Sequence, residues 1–233
     1  MSGPQGWLTD AQASRLRARA ATASGQIVEI GSFRGRSTTV LAGEADVVAI
    51  DPHAGSDRGP QEIGAEAGRG NADYQAFHAN LAAAGVADRV RHVRAFSADA
   101  HDAVEGDIAL LYVDGAHRFG PARDDLVGWG GRIAPGGTML VHDAFSSVGV
   151  TLALFTTCAG SRSWRYAGRT GSLAEYERRP SSGSYPERAR DAARQLAELP
   201  WFARNVAIKT LVLAGRRRWA ERLGLDPAAP WPY

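Results

Sequence analysis

Residues 26–51, QIVEIGSFRGRSTTVLAGEADVVAID, determine the fold class that the sequence predicts. The β-rich run Gln26–Ile30 ends at Gly31, and the helix-compatible stretch SFRGRSTTVLAG follows it. A second apolar run, Val47–Ile50, ends at Asp51. This succession of a short strand, a helix and another short strand predicts a β-α-β unit with two parallel strands.

The alternation of strands and helices continues after Asp51. Strands are predicted around 90–95, 108–113 (IALLYV) and 138–141 (TMLV), and helices around 73–84, 121–133 and 148–158. A polar, glycine-rich loop or lid is predicted at 53–71, and a turn at 134–137 (APGG). The apolar run IALLYV is typical of a strand buried on both faces. The pattern predicts an α/β fold with a doubly wound, mostly parallel sheet that binds ligands at the carboxyl ends of its strands.

Both ends of the chain add elements to this core. Thr9 and Gln12 form a T-x-x-Q capping box, which predicts a helix at the N-terminal end. The segments WRYAGR and SLAEYERR flank Thr170-Gly171 and predict a hairpin at the edge of the sheet. Helices are predicted around 186–199 and 201–223, with a break at Pro200. We therefore expect one domain over residues 1–180 and a helical extension over 181–233.

The turn after the first strand is a candidate nucleoside-binding site. Glu29, Gly31 and Gly35 lie in the stretch EIGSFRG, and Asp51 follows Gly31 by 20 residues. Glycines allow a ligand to approach the turn closely, a helix N-terminus favours anionic groups, and an acidic residue at a strand end accepts hydrogen bonds from ribose hydroxyls. A dinucleotide fingerprint needs G-x-G-x-x-G, and Phe33 occupies the position of the second glycine. The pattern therefore favours a ligand other than a nicotinamide dinucleotide.

VEIGSFRG and VVAID resemble the first and second motifs of the class I S-adenosylmethionine-dependent methyltransferases, and the resemblance covers residues 26–177. It implies a seven-stranded Rossmann-like sheet with an antiparallel C-terminal hairpin. It also implies that S-adenosylmethionine binds along the strand ends. The cofactor-binding residues that it implies are Glu29, Gly31, Ser32, Gly35, Ser37, Asp51, His53, Ser97, Ala98 and Asp114.

A second polar group follows the fourth and fifth strands: Asp114-Gly115-Ala116-His117 after IALLYV, and His142-Asp143 after TMLV. The pattern is similar to small-molecule O-methyltransferases of the catechol type and their sugar-modifying relatives. This resemblance implies Asp114, His117 and Asp143 as catalytic residues, with His117 as the general base. It also implies a divalent cation such as Mg²⁺ on Asp114 and Asp143. Ala144 replaces the second residue of the family's acidic pair, so we expect His142 or water to complete the metal site.

Composition limits the remaining choices. The chain has 233 residues, 44% of them hydrophobic, and a single cysteine, Cys158. It has no apolar run of the length that a membrane span needs, and its first ten residues do not resemble a signal peptide. We therefore expect a cytoplasmic protein. Residues 1–159 contain 13 basic and 18 acidic residues, whereas residues 160–233 contain 14 basic and 7 acidic residues.

The helix predicted at 201–223 is amphipathic and basic, with Arg216–Arg218 near its end. Such a helix is expected to pack on the domain or on the partner in a homodimer, or to lie on a membrane surface. No N/D-P-P-Y/F motif follows the fourth strand, so a nucleic acid substrate is not expected.

The sequence thus predicts a methyltransferase that acts on a hydroxyl of a small molecule, a glycan or a glycolipid. Two alternatives remain open. One is an NAD(P)-dependent oxidoreductase on a similar fold. The other is a noncatalytic module that binds the cofactor or a partner, which the replacement by Ala144 keeps open.

Overall fold

The computed structural model describes residues 6–56 and 64–227, and within them seven strands form one sheet. The strands are β1 (Gln26–Ile30), β2 (Val47–Ile50), β3 (Val90–Val93), β4 (Ile108–Val113), β5 (Ile133–Val141), β6 (Trp164–Thr170) and β7 (Leu173–Arg178). Their order in the sheet is β3-β2-β1-β4-β5-β7-β6. Strands β1 to β5 are parallel, and β7 is antiparallel to both β5 and β6. The predicted Rossmann-like sheet with its C-terminal hairpin is confirmed.

Helices cover both faces of the sheet. They are α1 (Asp10–Thr22), α2 (Arg36–Ala42), α3 (Ala67–Ala83), α4 (Phe119–Gly128), α5 (Val148–Thr157), α6 (Tyr185–Leu196), α7 (Leu199–Leu213) and α8 (Arg217–Arg222). The predicted capping box begins α1, because Thr9 accepts a hydrogen bond from the Gln12 backbone and the Gln12 side chain accepts one from the Thr9 backbone.

Alternate residues of the central strands enter different apolar clusters. Ile27 and Leu110 belong to the cluster under α1 and α2, whereas Val28 and Leu111 belong to the cluster under α4 and α5. All four side chains are fully buried. Strands β1 and β4 are therefore covered on both faces, which explains their uninterrupted apolar sequences.

The helix predicted at 121–133 is too long at its C-terminal end. Helix α4 ends at Gly128, a 3₁₀ turn follows at Gly130–Arg132, and β5 begins at Ile133. The predicted turn at 134–137 lies inside β5 as an irregularity, since Ile133 pairs with Ile108 while Thr138 already pairs with Leu110. Gly136 has a φ of 84°, a conformation that glycine adopts without strain, so the strand resumes after the irregularity.

Three further boundaries differ from the prediction. Helix α3 begins at Ala67, inside the predicted loop at 53–71, of which residues 57–63 lie outside the described residues. Strand β3 ends at Val93 instead of Ala95. The loop of the hairpin is Gly171-Ser172, one residue further along than predicted, since Thr170 pairs with Leu173.

Up to residue 227, where the described part of the C-terminal extension ends, there are three helices where two were predicted. Pro200 lies in the first turn of α7, where its missing N–H costs no intrahelical hydrogen bond. The helix predicted to run to 223 ends at Leu213, because Gly215 has a φ of 70° and starts a turn before α8. Trp201 and Phe202 of α7 pack against the cluster under α4 and α5. Among the described residues, no helix has both the length and the apolar composition needed to cross a bilayer.

Candidate active site

The turn after β1 brings its backbone against the end of β4. Gly31 has a φ of 84°, and its N–H donates to the Ile50 carbonyl at 2.9 Å. A Cβ atom at position 31 would lie 2.1 Å from the carbonyl oxygen of Asp114. Only glycine fits here, because both the backbone angle and the approach to Asp114 exclude a side chain.

The carboxylate of Glu29 lies behind this turn. Its two oxygens accept hydrogen bonds from the hydroxyls of Ser37 and Thr38, each at 2.5 Å. Burial raises the pKa of Glu29 to about 7, and the hydrogen bonds from Ser37 and Thr38 reduce the increase. Glu29 connects β1 to α2 and does not line the cavity described below. Gly35 does not line it either, and a Cβ atom there would lie 3.2 Å from the Phe77 ring.

Asp51 holds the loops after β1 and β2. Its Oδ2 accepts hydrogen bonds from the backbone N–H groups of Ser32 at 2.9 Å and Phe33 at 2.8 Å. Its Oδ1 accepts one from the backbone N–H of His53 at 2.7 Å. The Asp51 carboxylate is therefore fixed at the strand end, where Oδ1 can accept one further hydrogen bond.

His53 lies beside this carboxylate and has a φ of 46°. Its side chain packs against the rings of Tyr74, Phe77 and His92. Burial lowers the pKa of His53, and the charge of Asp51 opposes this. His53 is thus a neutral part of the wall beside Asp51.

A cavity of about 620 Å³ runs along the carboxyl ends of β1 to β5. Most of the predicted residues line it: Gly31, Ser32, Ser37, Asp51, His53, Ser97, Ala98, Asp114, His117, His142 and Asp143. Ser97 donates to Asp125 of α4 at 2.5 Å, and Trp129 donates to the carbonyl of Ser97 at 3.2 Å. Burial raises the pKa of Asp125 to about 6. The volume lies within the range of cofactor and drug-sized ligand sites.

Four titratable side chains meet after β4 and β5. His117 Nε2 lies 3.0 Å from Asp143 Oδ2, and His142 Nδ1 lies 3.2 Å from Asp114 Oδ1 and 3.4 Å from Asp143 Oδ2. Tyr112 donates to Asp114 Oδ2 at 3.0 Å. Asp143 has a φ of 54°, in the left-handed region, and its Oδ2 lies between the rings of His117 and His142.

The charges of this group support one another. Burial opposes ionisation of both histidines, but the carboxylates of Asp143 and Asp114 outweigh it and raise the pKa of His117 and of His142. Burial likewise opposes ionisation of Asp143, but His142 and His117 outweigh it and lower the pKa of that carboxyl. These interactions therefore favour the ionised form of the Asp143 carboxylate, which lies between the two imidazole rings.

Asp114, His117 and Asp143 could hold a metal ion, since one ligand atom from each lies within 4.8 Å of the others. His142, the expected third ligand, is not part of this set, although it lies next to both carboxylates. Its Nδ1 faces those carboxylates, whereas its Nε2 is buried and has no hydrogen-bond partner among the described residues. Ala144 is fully buried and its N–H donates to the Ser172 carbonyl, so position 144 points into the core and away from the site.

Three further residues line the same cavity but belong to none of the sequence motifs. Trp7 covers the turn after β1 and stacks on Phe33, with ring centroids 5.4 Å apart. Tyr112 contacts Asp114 from the end of β4. Lys209 reaches the cavity from α7 and donates to the Ser146 carbonyl at 2.9 Å. Its being the only lysine was the one signal available from sequence.

A family model described as a methyltransferase domain matches residues 28–144, half of the chain. The matched region includes the turn after β1, Asp51 and the group formed by Asp114, His117 and Asp143. The chain belongs to this methyltransferase family.

Solved structures show the same fold. A cofactor-bound protein, Rv0187 from MTB, is 18% identical to this methyltransferase, with a TM-score of 0.57 over 78% of this chain and 85% of that chain. The O-methyltransferase TomG from Streptomyces achromogenes, in complex with SAM, is 19% identical, with a TM-score of 0.55 over 76% and 82% of the two chains. An O-methyltransferase from Bacillus cereus, in complex with SAH, is 15% identical, with a TM-score of 0.57 over 76% and 84%. No curated protein matches this methyltransferase.

Proposed function

We propose that this methyltransferase uses S-adenosylmethionine and transfers its methyl group to a hydroxyl of a small molecule or glycan. The observation that carries the proposal is the position of Asp114, His117 and Asp143 in the same cavity as Gly31 and Asp51. A cofactor site and a group able to activate a hydroxyl thus share one cavity. Similar structures support the proposal, since they include O-methyltransferases bound to SAM or SAH and a TDP-rhamnose 3'-O-methyltransferase.

The cofactor would extend along the strand ends. Ser97 and Ala98 would contact the adenine, and Asp51 Oδ1 would accept a hydrogen bond from the ribose. The backbone of Gly31 and the side chain of Asp114 would lie beside the methionine part. Phe33 lines the cavity at the turn, so its ring occupies space that a pyrophosphate would need. This favours S-adenosylmethionine over the NAD(P) of the alternative oxidoreductase.

The acceptor hydroxyl would lie beside His117. In the neutral form of His117, Nε2–H donates to Asp143, which leaves Nδ1 as the proton acceptor. The acceptor oxygen forms a bond to the methyl carbon as the bond between that carbon and sulfur breaks, and the hydroxyl proton moves to Nδ1. S-adenosylhomocysteine is the other product. A positioned base contributes about 10² to 10⁴ to the rate of such a step.

A divalent cation is the second candidate for this assistance. Asp114, His117 and Asp143 would hold it, and their mixture of two carboxylates and one imidazole suits Mg²⁺ or Mn²⁺. A bound cation would lower the pKa of a coordinated acceptor hydroxyl. In that arrangement His117 binds the metal and is not the proton acceptor, so the two candidates can be separated by experiment.

Manganese binding, followed by electron paramagnetic resonance, tests the metal site without a known acceptor. We expect Mn²⁺ to bind to the wild type and not to Asp143→Asn. If Mn²⁺ does not bind at millimolar concentration, or binds both proteins equally, the metal site is ruled out and His117 remains as the base.

Calorimetric titration with S-adenosylhomocysteine tests the cofactor, with NAD as the comparator. We expect micromolar binding of S-adenosylhomocysteine and none of NAD. Asp51→Ala should abolish the binding, and its folding must be checked by circular dichroism because Asp51 also holds three backbone N–H groups. A preference for NAD, or the absence of binding to either ligand, would contradict the proposal.

Turnover separates the enzyme from the noncatalytic alternative. We expect loss of the methyl group from S-adenosylmethionine in the presence of dihydroxyaromatic or sugar acceptors, measured as release of S-adenosylhomocysteine. Binding without release across a broad acceptor panel would favour a noncatalytic role. The predictions of a cytoplasmic location, a homodimer and membrane contact stay predictions.

A further inference from the structure

Lys209 is the only lysine of the chain, and it comes from the C-terminal extension. It lies in the second half of α7 and lines the cavity together with residues of the sheet edge. A residue outside the half of the chain that matches the methyltransferase family therefore contributes to the wall of its site.

Contacts of α7 place the ammonium group at the acceptor end of the cavity. Lys209 Nζ donates to the Ser146 carbonyl at 2.9 Å, and Asn205, one turn earlier, donates to the Phe145 carbonyl at 3.2 Å. These carbonyls belong to the loop that begins at Asp143. The loop also contacts the segment after β4, since Ser147 donates to the His117 carbonyl at 3.3 Å. Lys209 therefore lies next to the two loops that carry His117 and Asp143.

The charge of Lys209 has no carboxylate partner in the described part of the chain. No acidic oxygen there lies within 4.0 Å of Nζ, and the nearest carboxylate in electrostatic terms, that of Asp143, is held by His117 and His142. The hydrogen bond to Ser146 uses one of the three N–H donors of the ammonium. Two N–H donors remain for a ligand in the cavity, and because burial lowers the pKa of Lys209, an anion bound there would stabilise the charged form.

We propose that Lys209 binds an anionic group of the acceptor, a carboxylate or a phosphate, and so selects acidic acceptors. This inference rests on the proposed function, because it assigns the acceptor end of the same cavity. A half-buried ammonium that is already held by a backbone carbonyl loses little conformational freedom when it binds an anion. The two remaining donors match two oxygens of either group.

Nuclear magnetic resonance can test this on the unmodified protein. Lysine labelled with ¹³C at Cε gives one Hε–Cε cross-peak, because Lys209 is the only lysine. The protein is saturated with S-adenosylhomocysteine and titrated with 3,4-dihydroxybenzoate against catechol, and with glucose 6-phosphate against glucose, at constant ionic strength. We expect the cross-peak to shift with at least one anionic probe and not with its neutral counterpart. If neither anionic probe shifts the peak, or if neutral probes shift it equally, the proposal is wrong.

Calorimetry with three variants then separates a specific contact from general electrostatics. Lys209→Met should weaken binding of the anionic probe about tenfold or more, and Lys209→Arg should retain most of it. Arg190→Met removes an exposed cation of α6 outside the cavity and should leave the affinity unchanged. Equal weakening by Lys209→Met and Arg190→Met would overturn the proposal. S-adenosylhomocysteine affinity is measured in parallel, so failure of the cofactor site is distinguished from failure of the Lys209 assignment.

Discussion

Gly31 allows the turn after β1 to approach the end of β4 closely, and Gly31→Ala tests this close approach. A methyl group at position 31 meets the Asp114 carbonyl at 2.1 Å, and the φ of 84° adds strain. Gly85 has a similar φ of 70° but no atom within 4 Å of its Cβ position, so Gly85→Ala is a matched control. We expect Gly85→Ala to lower the free energy of unfolding by about 1 kcal/mol, and Gly31→Ala by more than about 3 kcal/mol. If urea denaturation shows an equal decrease in the free energy of unfolding for both variants, the predicted clash with Asp114 is wrong.

Glu29 should make stability depend on pH in a defined direction. Its pKa is about 7 in the folded chain against an ordinary value of 4.5, so the folded state binds more protons between these values. The free energy of unfolding therefore falls as pH rises from about 4.5 through 7, by at most about 3 kcal/mol. Glu29→Gln is uncharged at every pH and should lack this fall.

Urea denaturation at pH 5 and pH 8 measures the effect. Between these two pH values, we expect the free energy of unfolding of the wild type to fall by about 2 to 3 kcal/mol more than that of Glu29→Gln. Glu105→Gln removes an exposed carboxyl and should follow the wild type. Parallel behaviour of wild type and Glu29→Gln would show that the carboxyl ionises normally.

His117 should affect turnover much more than cofactor binding. In His117→Ala we expect kcat to fall at least a hundredfold, whether the side chain acts as a base or as a metal ligand. The affinity for S-adenosylhomocysteine should stay within about threefold of the wild type. His101→Ala is the control, since His101 lines the cavity but stacks on Trp129, with ring centroids 4.4 Å apart, away from Asp143. A near-normal kcat in His117→Ala would rule out His117 both as the base and as a metal ligand.

Site residues near strand ends could be predicted because parallel strands bring their carboxyl ends to one edge. Asp51, Asp114 and Asp143 follow three such strands, and all three line the cavity. Lys209 could not be predicted in the same way, since its place depends on how α7 packs some 60 residues after Ser146. The orientation of His142 could not be predicted either, because its ring lies between carboxylates that come from two different loops.

At the scale of elements, α7 holds the loop that carries Asp143. Asn205 is fully buried, and its side chain donates to the Phe145 carbonyl, whose residue has a φ of 54°. In Asn205→Ala this carbonyl stays buried without its partner, which costs about 1 to 3 kcal/mol. We expect that loss in urea denaturation, together with a lower kcat and an unchanged affinity for S-adenosylhomocysteine. Thr210→Ala, an exposed change on the same helix, should alter neither. Unchanged kcat in Asn205→Ala would show that the loop is held without α7.

Strands with a continuous apolar run were predicted correctly. Two errors arose at glycines, because a glycine can either interrupt a helix or strand or be tolerated within it. β1, β2 and β4 have the predicted bounds because their apolar runs end at Gly31, Asp51 and Asp114. The stretch 134–137 has the composition of a turn, yet pairing with β4 continues the strand through it. Gly215 inside an apolar, helix-like stretch ends α7, and the sequence pattern alone does not distinguish it from a tolerated helical glycine.

At the scale of the whole molecule, the basic extension contacts the sheet through polar as well as apolar groups. Tyr176 donates to Gln195 of α6 at 3.1 Å, and Tyr166 donates to Glu198 at 3.0 Å. Arg179 forms an ion pair with Asp191. Part of the excess of positive charge after residue 159 is therefore used within the fold, and Arg169 also stacks on Trp201.

These contacts predict that residues 181–233 and the sheet unfold together. A chain that ends at Ser181 exposes the hydroxyls of Tyr166 and Tyr176 and the apolar surface under Trp201 and Phe202. We expect this shortened chain to be poorly soluble or to unfold without a sharp transition, whereas the full chain should show one cooperative transition by circular dichroism and by Trp fluorescence. If the shortened chain melts cooperatively and binds S-adenosylhomocysteine, residues 1–180 are an independent domain. The extension would then contribute Lys209 to the acceptor end of the site without being needed for folding.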